Sequence, residues 1–315
     1  MERLMIQGTK FLLTTAVLYV LAFIALTRIR YEGNPVIYRT NDYYQTKGGV
    51  SYSKFKDWAD GAAYDVVVIG SSHAYRGYDP RIFTERGYRM FNMGSSAQTP
   101  LSTYAVLEGY VTEQRTPLVL IDVYENAFDQ PGVESVSDLT RNMDSDRAAL
   151  LLAASFRDLR GLNMLALRML DKGGPASWEH KHYVGNGAAI SPDSTRADLK
   201  YPGLRPFHVD ERQLERFIDC LDLCAERGIR VVLCSHFYPR RIGLARHTAF
   251  AALVDSVLAE RPVAERPHWF DFAGTPGIDD HAHFCDHNHL NEAGARIFTG
   301  RLVDSLVAKG YLPSQ

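Results

Sequence analysis

The chain opens on a block with no polar stripe. Phe11 to Thr27 reads FLLTTAVLYVLAFIALT without a charge, bounded by Lys10 on one side and by Arg28 and Arg30 on the other. A run this uniformly apolar lacks the polar face of a surface helix. Its length lies at the short end of the roughly 17–25 residues that span a hydrocarbon core. The following TRIRYEGN carries no small-x-small cleavage site, so an uncleaved anchor over residues 1–30 is expected rather than a signal peptide. Arg3 and Lys10 precede the run and Arg28, Arg30 and Arg39 follow it, so charge alone does not orient it.

Residues 31–63 are mixed and aromatic, the composition of a membrane-proximal linker that packs onto a domain. From Tyr64 the pattern becomes strand, loop, helix, repeated. Asp65 to Ile69 is continuously apolar after its first residue, as a strand covered on both faces requires. Asp79-Pro80 predicts a helix N-cap followed by proline at the first helical position, and Gly87 ends that helix. Tyr88 to Met93 and Pro117 to Val123 predict two further strands, with a helix over Leu101 to Gln114 between them. The alternation resumes later. Val209 to Arg227 reads as a helix stopped by Gly228, and Ile229 to Cys234 as a strand. Leu244 to Glu260 reads as a helix, His268 to Phe272 as a strand, and Leu290 to Ala308 as a closing helix. Strands alternating with helices imply a parallel sheet of about five strands covered on both faces. The domain expected over residues 64–315 is interrupted by an insertion over residues 124–208. Its first half is helical around Arg147 to Leu170. Its second half, Gly173 to Arg205, shows no period and is expected to cover the site, with Trp178, His180, His182 and Tyr183 as candidate contacts.

Composition changes this picture little. Of 315 residues, 46% are apolar and 23% charged, the balance of a folded globular chain. A net charge of −2 leaves no basic excess for a phosphate backbone, which argues against nucleic acid as a partner. Cys220, Cys224, Cys234 and Cys285 form neither a disulfide framework nor a metal knuckle; Cys220 and Cys224 lie one helical turn apart, a poor geometry for a bridge.

The candidate chemistry lies at strand ends. In a parallel α/β sheet, ligands bind beyond the carboxyl ends of the strands. The first strand delivers Gly70, Ser71, Ser72 and His73 there, and the second delivers Asn92 to Ser96. The fifth leads to the loop CDHNHLNEAG, Cys285 to Gly294. A serine hydroxyl is a weak nucleophile until a base takes its proton. Histidine suits that task, and a carboxylate holds the imidazole in the right tautomer. Asp286 and His289 are three apart, so one turn presents both on the same side. A developing oxyanion needs N–H donors, for which the amides of Ser72 and Gly94 are candidates. A rival reading assigns metal to the crowd of His281, His283, Cys285, Asp286, His287 and His289, since zinc takes all three residue types. His73 points away from Ser72 if the strand alternation continues. His236, Arg240 and Arg241 in SHFYPRR lie on the same edge, and the arginine pair suits an anionic substrate. No GxGxxG or Gly-rich phosphate loop follows the first strand, so no nucleotide or flavin cofactor is implied.

GSS at Gly70 to Ser72, the glycine of FNMGSS and DHNH at Asp286 to His289 together resemble blocks I, II and V of the SGNH (GDSL-like) hydrolases. The match is best with the membrane-anchored members acting on cell-envelope polymers, such as the D-alanine transfer proteins of teichoic acid and the alginate O-acetylation proteins. The resemblance covers residues 64–123 and Ile229 to the C-terminus. It implies a flavodoxin-like three-layer fold, Ser72 as nucleophile, His289 as base and Asp286 as its orienter, with no metal. It also implies a domain on the exported side of a single-pass membrane protein. The expected function is a serine esterase or O-acyltransferase on an acylated envelope polysaccharide or glycolipid, alongside export or acylation partners. The alternative is a degenerate domain that binds glycan or scaffolds an envelope complex. One departure stands out. Block III ordinarily supplies an asparagine as oxyanion donor, whereas the third strand here ends VLIDVYENAFD, with Asn126 displaced and Asp122 close by. Candidate substrate contacts are His73, Asn126, Trp178 and His236.

Overall fold

A strand buried on both faces must be apolar at every position, and Val66, Val67, Val68 and Ile69 are each 0% exposed. They form β1 (Val66–Ile69) of a five-stranded sheet in the computed structural model, which describes residues 1–59, 61–172, 180–195 and 205–314. The other strands are β2 (Met90–Asn92), β3 (Leu118–Asp122), β4 (Arg230–Ser235) and β5 (His268–Asp271). The sheet runs β2-β1-β3-β4-β5 with every pair parallel, which is the flavodoxin-like order. In register, Val67 lies between Phe91 and Val119, and Leu120 lies opposite Val232.

Period-2 alternation divides the sheet side chains between two cores. Val67, Ile69, Val119, Ile121 and Leu233 face the helices Pro100–Tyr110, Glu211–Glu226 and Ala245–Glu260. Val66, Val68, Leu118, Leu120 and Val232 face Ser72–Gly77, Pro80–Glu85 and Glu292–Ala308. Cys220, Cys224 and Cys234 are buried thiols of these cores and Cys285 is half-buried; all four are free.

The N-terminal helix is Glu2–Arg28, 27 residues long and apolar enough to cross a membrane. Its length of about 40 Å exceeds the hydrocarbon thickness. The segment read as a linker contributes to the core: it folds into the helix Gly49–Trp58, whose Phe55 and Trp58 are buried in the larger cluster. The insertion does the same. Val133–Asn142, Asp146–Ser155 and Leu159–Leu170 are helices, and Leu139, Ala149 and Leu152 join that cluster. The single helical stretch expected over 147–170 is broken because Arg157 adopts φ 52° and the Asp158 side chain caps the next helix at the Arg160 amide. In the stretch read as patternless, Tyr183–Gly185 pairs with Ala188–Ala189. The signal was Asn186-Gly187, both with positive φ, as a tight hairpin turn requires. Asn186 O accepts the Asn92 amide at 2.8 Å and so covers the free edge of β2. A Cβ on Gly187 would lie 1.9 Å from Asn92 O, so only glycine fits there.

An ion cluster around the buried His247, open to solvent on its Asp271 side, ties β5 to the segment after β3. His247 Nε2 lies 3.0 Å from Asp271 Oδ2, and Nδ1 lies 3.6 Å from Glu125 Oε2. Burial disfavours the charged imidazole, but the two carboxylates outweigh it and hold the pKa at about 9. The folded value lies above the unfolded one of about 6.5. Stability from this cluster is therefore complete below about pH 6.5 and is lost as pH rises through about 9. Thermal melts between pH 6 and pH 10 are expected to show a declining melting temperature that flattens in His247→Gln. An unchanged slope in the variant would contradict the assignment.

Candidate active site

The site forms where β1 turns into a helix. Gly70 has φ +156° and no room for a side chain, because a Cβ would meet Asp122 Cβ at 2.7 Å. Ser71 caps the helix Ser72–Gly77, its Oγ accepting the His73 amide at 3.3 Å. Ser72 is thus the first residue of that helix, where amides lack intrahelical acceptors.

From the far end of the chain, the loop after β5 brings His289 Nε2 to 2.7 Å from Ser72 Oγ. His289 Nδ1 lies 2.8 Å from Asp286 Oδ2 and 3.0 Å from Oδ1. Asp286 Oδ1 also accepts the amides of Asn288 at 3.0 Å and His289 at 2.9 Å. The loop is tied off at its base. Cys285 N donates to His289 O, Asn291 Nδ2 donates to Ala282 O, and Asn291 Oδ1 caps the last helix at the Gly294 amide. The end of the insertion straps it from outside. Thr195 Oγ1 donates to Phe284 O at 2.7 Å and to Asp286 O at 3.1 Å, and Ser191 O accepts the Glu292 amide.

These contacts set the charges. Burial pushes the Asp286 carboxyl up, but the His289 side chain and the two amides outweigh it and hold it well below the usual range. Burial pushes His289 below its ordinary value, partly offset by Asp286. With Asp286 ionised and the imidazole neutral, Nδ1–H donates to the carboxylate and Nε2 is free to accept the Ser72 proton. Arg76 Nη1 stands 3.5 Å from both Asp286 Oδ2 and His289 Nδ1. The sequence reading missed this arginine, although it lies one turn beyond Ser72 in SSHAYR.

Other expected residues fall elsewhere. Gly94 does adjoin the Ser71–Ala74 turn, where a Cβ would meet Ala74 Cβ at 2.6 Å and Ser71 O at 3.0 Å. Its amide, expected as an oxyanion donor, donates instead to Asn92 Oδ1 at 3.0 Å. Its carbonyl accepts from the fully buried Lys54 Nζ. His73 and His236 were expected to touch substrate, and both are buried beneath the site. Their rings stack at 4.0 Å and 25°, with Tyr124 edge-on to His73 at 4.1 Å and His289 5.0 Å away. Asn126 Nδ2 donates one of its two protons to the Tyr124 hydroxyl at 2.5 Å. Trp178 lies outside the described residues. His180, His182 and Tyr183 belong to the covering segment, where Tyr183 donates to Asp57. The amides of Arg240 and Arg241 are tied to Asp280.

The histidine-rich loop is largely committed internally, with His283 Nδ1 accepting the Asp279 amide and Asp286 paired with His289. Among the described residues, the ligand-type atoms that do converge are those of His73, Asp122 and His236. The two imidazoles are face to face, so a point shared by both lies well out of each ring plane, away from the nitrogen lone pairs that would bind zinc. Burial lifts Asp122 to about 7 and lowers His236 to about 3. The two histidines under the site are therefore neutral near neutrality, and Asp122 holds its proton up to about that pH even though the Tyr78 hydroxyl donates to it at 2.8 Å.

No family model and no curated protein matches the chain. Among solved structures it is similar to a GDSL-like lipase from Bacteroides thetaiotaomicron, at 12% identity and a TM-score of 0.43 over 82% of this chain and 99% of that one. An acetylxylan esterase from Geobacillus stearothermophilus gives 13% identity and 0.41 over 81% and 99%. A lipase/acylhydrolase from Enterococcus faecalis gives 14% and 0.39 over 78% and 96%.

The geometry has a spectroscopic consequence. The His289 imidazole is expected to titrate below the ordinary histidine value of about 6.5, and Asp286→Asn is expected to lower it further by removing the carboxylate that favours the imidazolium. Nuclear magnetic resonance of the ring protons reads both. An unshifted value in the variant would mean that the pair is not coupled.

Proposed function

We propose that this protein is a membrane-tethered serine ester hydrolase or O-acyltransferase of SGNH (GDSL-like) type, acting on an acylated envelope polysaccharide or glycolipid. The observation that carries the reading is the unbroken line from Ser72 Oγ through His289 to Asp286, with both links under 3 Å. His289 Nε2 takes the hydroxyl proton as Ser72 Oγ attacks the ester carbonyl. Asp286 stabilises the imidazolium so formed. The same proton then goes to the leaving alkoxide, leaving an acyl-serine. Water, or a sugar hydroxyl deprotonated by His289, attacks that ester and frees Ser72. No cofactor takes part in these steps.

The oxyanion side is the weaker half. The Ser72 amide heads its helix, but the Gly94 amide reaches an oxyanion only by giving up Asn92 Oδ1. Asn92 is itself held by Ala74 O at 2.8 Å. Losing one donor costs roughly 10²–10³ in rate in a measured protease. The reading therefore implies slow turnover of simple esters.

That engaged amide also favours a second reading, a catalytically degenerate domain that binds glycan or scaffolds an envelope complex. The helix Glu2–Arg28 supports membrane tethering in both readings, which raises local concentration at a membrane-bound substrate. The domain on the exported side is part of the proposal.

Labelling by a fluorophosphonate probe separates the two. The full chain is expected to label and to hydrolyse aryl acetate esters, releasing the phenol and acetate, and Ser72→Ala to abolish both. Asp286→Asn is expected to lower the rate by about 10³–10⁴. Activity should fall with acid only below the ordinary histidine range, because His289 must be neutral to act. Equal labelling of wild type and Ser72→Ala would overturn the nucleophile. No labelling, with glycan binding that survives Ser72→Ala, would favour the second reading.

A further inference from the structure

The helix Leu159–Leu170 runs beside the N-terminal helix, and the two enclose a groove of about 650 Å³. That is within the roughly 300–1,000 Å³ of small-ligand sites. Ala16, Val20 and Ile24 form one wall, and Leu159, Leu162 and Ala166 the other. Its lining offers three polar side chains, Thr15, Tyr19 and Asn163, and the last two are spent. Tyr19 OH donates to Asn163 Oδ1 at 2.8 Å, and Asn163 Nδ2 donates to Tyr44 OH at 2.6 Å. A water-soluble ligand needs convergent polar groups to fix its orientation. Hydrocarbon needs only that no polar group be left unsatisfied.

The surroundings point the same way. Leu159 and Leu162 are each 56% exposed, and Leu150 and Met169 nearby are also exposed. The charges of the same helix turn aside. Arg160 pairs with Asp158 at the helix start, and Arg168 donates to the carbonyls of Thr140 and Met143 and pairs with Asp146. The wall opposite Leu162 belongs to the one described helix with the length and composition to cross a membrane. The apolar surface is thus continuous from that helix onto the domain.

We infer that this groove is a binding site for the hydrocarbon chains of bilayer lipid, and that Leu159–Leu170 forms part of the membrane-embedded surface beside the N-terminal helix. The inference is independent of the ester chemistry. It rests only on the reading of Glu2–Arg28 as a membrane helix. Its ligand class is acyl chain, and its effect is to fix how the domain sits on the membrane.

Spin labels test it in the full chain, reconstituted in phosphatidylcholine nanodiscs on a Cys285→Ser background, the other three thiols being buried. Labels at Leu162→Cys and, separately, at the exposed Val17→Cys of the N-terminal helix report accessibility to oxygen, which concentrates in lipid, and to a water-soluble nickel chelate. Both sites are expected to relax more with oxygen than with the chelate. If Val17 behaves so and Leu162 favours the chelate, the groove faces water and the inference fails while the anchor stands. If Val17 itself favours the chelate, the membrane reading fails. Protection of Leu162 from both reagents, with or without spin–spin broadening from a second copy, would assign the groove to protein and also overturn the inference.

Discussion

A 2.7 Å hydrogen bond between residues 217 positions apart is the constraint around which this molecule is arranged. A hydroxyl and an imidazole meet at that distance only if both bearing segments are held to within a few tenths of an ångström. At one end, β1 is buried on both faces and Gly70 turns the chain so sharply that Ser72 leads a helix. At the other, the Asp286 carboxylate is wrapped by the amides of its own turn, and the loop is pinned to the last helix by Asn291. The sheet supplies a common floor for both. Because β1 and β5 are separated by β3 and β4, the long loop after β5 has to reach back across the sheet. The straps from Ser191 and Thr195 hold it there.

Much of this was legible because it is local. VVVIG announces a buried strand and its exit, Asp79-Pro80 a helix start, and Gly228 a helix stop. The spacing of Asp286 and His289 sets their mutual geometry within one turn. What could not be read depends on partners distant in sequence. The Gly94 amide is engaged because the Asn92 side chain folds back on it, and that side chain is aimed by Ala74 from the neighbouring element. His73 and His236 find each other only after β1 and β4 are brought close. The hairpin at Asn186-Gly187 is a different case: its turn signal was present in the sequence and was outweighed by the irregular composition around it.

The histidine layer beneath the site reflects a balance of polarity. His73 Nε2 and His236 Nδ1 are buried without hydrogen-bond partners, an arrangement that costs free energy. Aromatic stacking among His73, His236 and Tyr124 offsets part of that cost. Burial keeps the rings neutral, so the imidazole above them meets no fixed positive charge from below. The cation that does approach is Arg76, which stands equally far from the Asp286 carboxylate and from His289 Nδ1.

Lys54 shows how far the folded unit reaches toward the membrane. It comes from the helix Gly49–Trp58 inside the segment 31–63 that reads as a linker, and burial lowers its pKa to about 8. Its ammonium holds the Gly94 carbonyl and faces the half-buried Asp138 carboxylate, which Ser51 and Asn142 also bind. The Gly48 amide donates to Asn142 at 2.8 Å. A fragment starting at Tyr64, where the strand pattern begins, would lack Phe55 and Trp58 from the larger core and the Ser51 and Lys54 side chains that face Asp138. The folded core of this chain therefore draws on residues from Gly48 onward, well ahead of its first sheet strand.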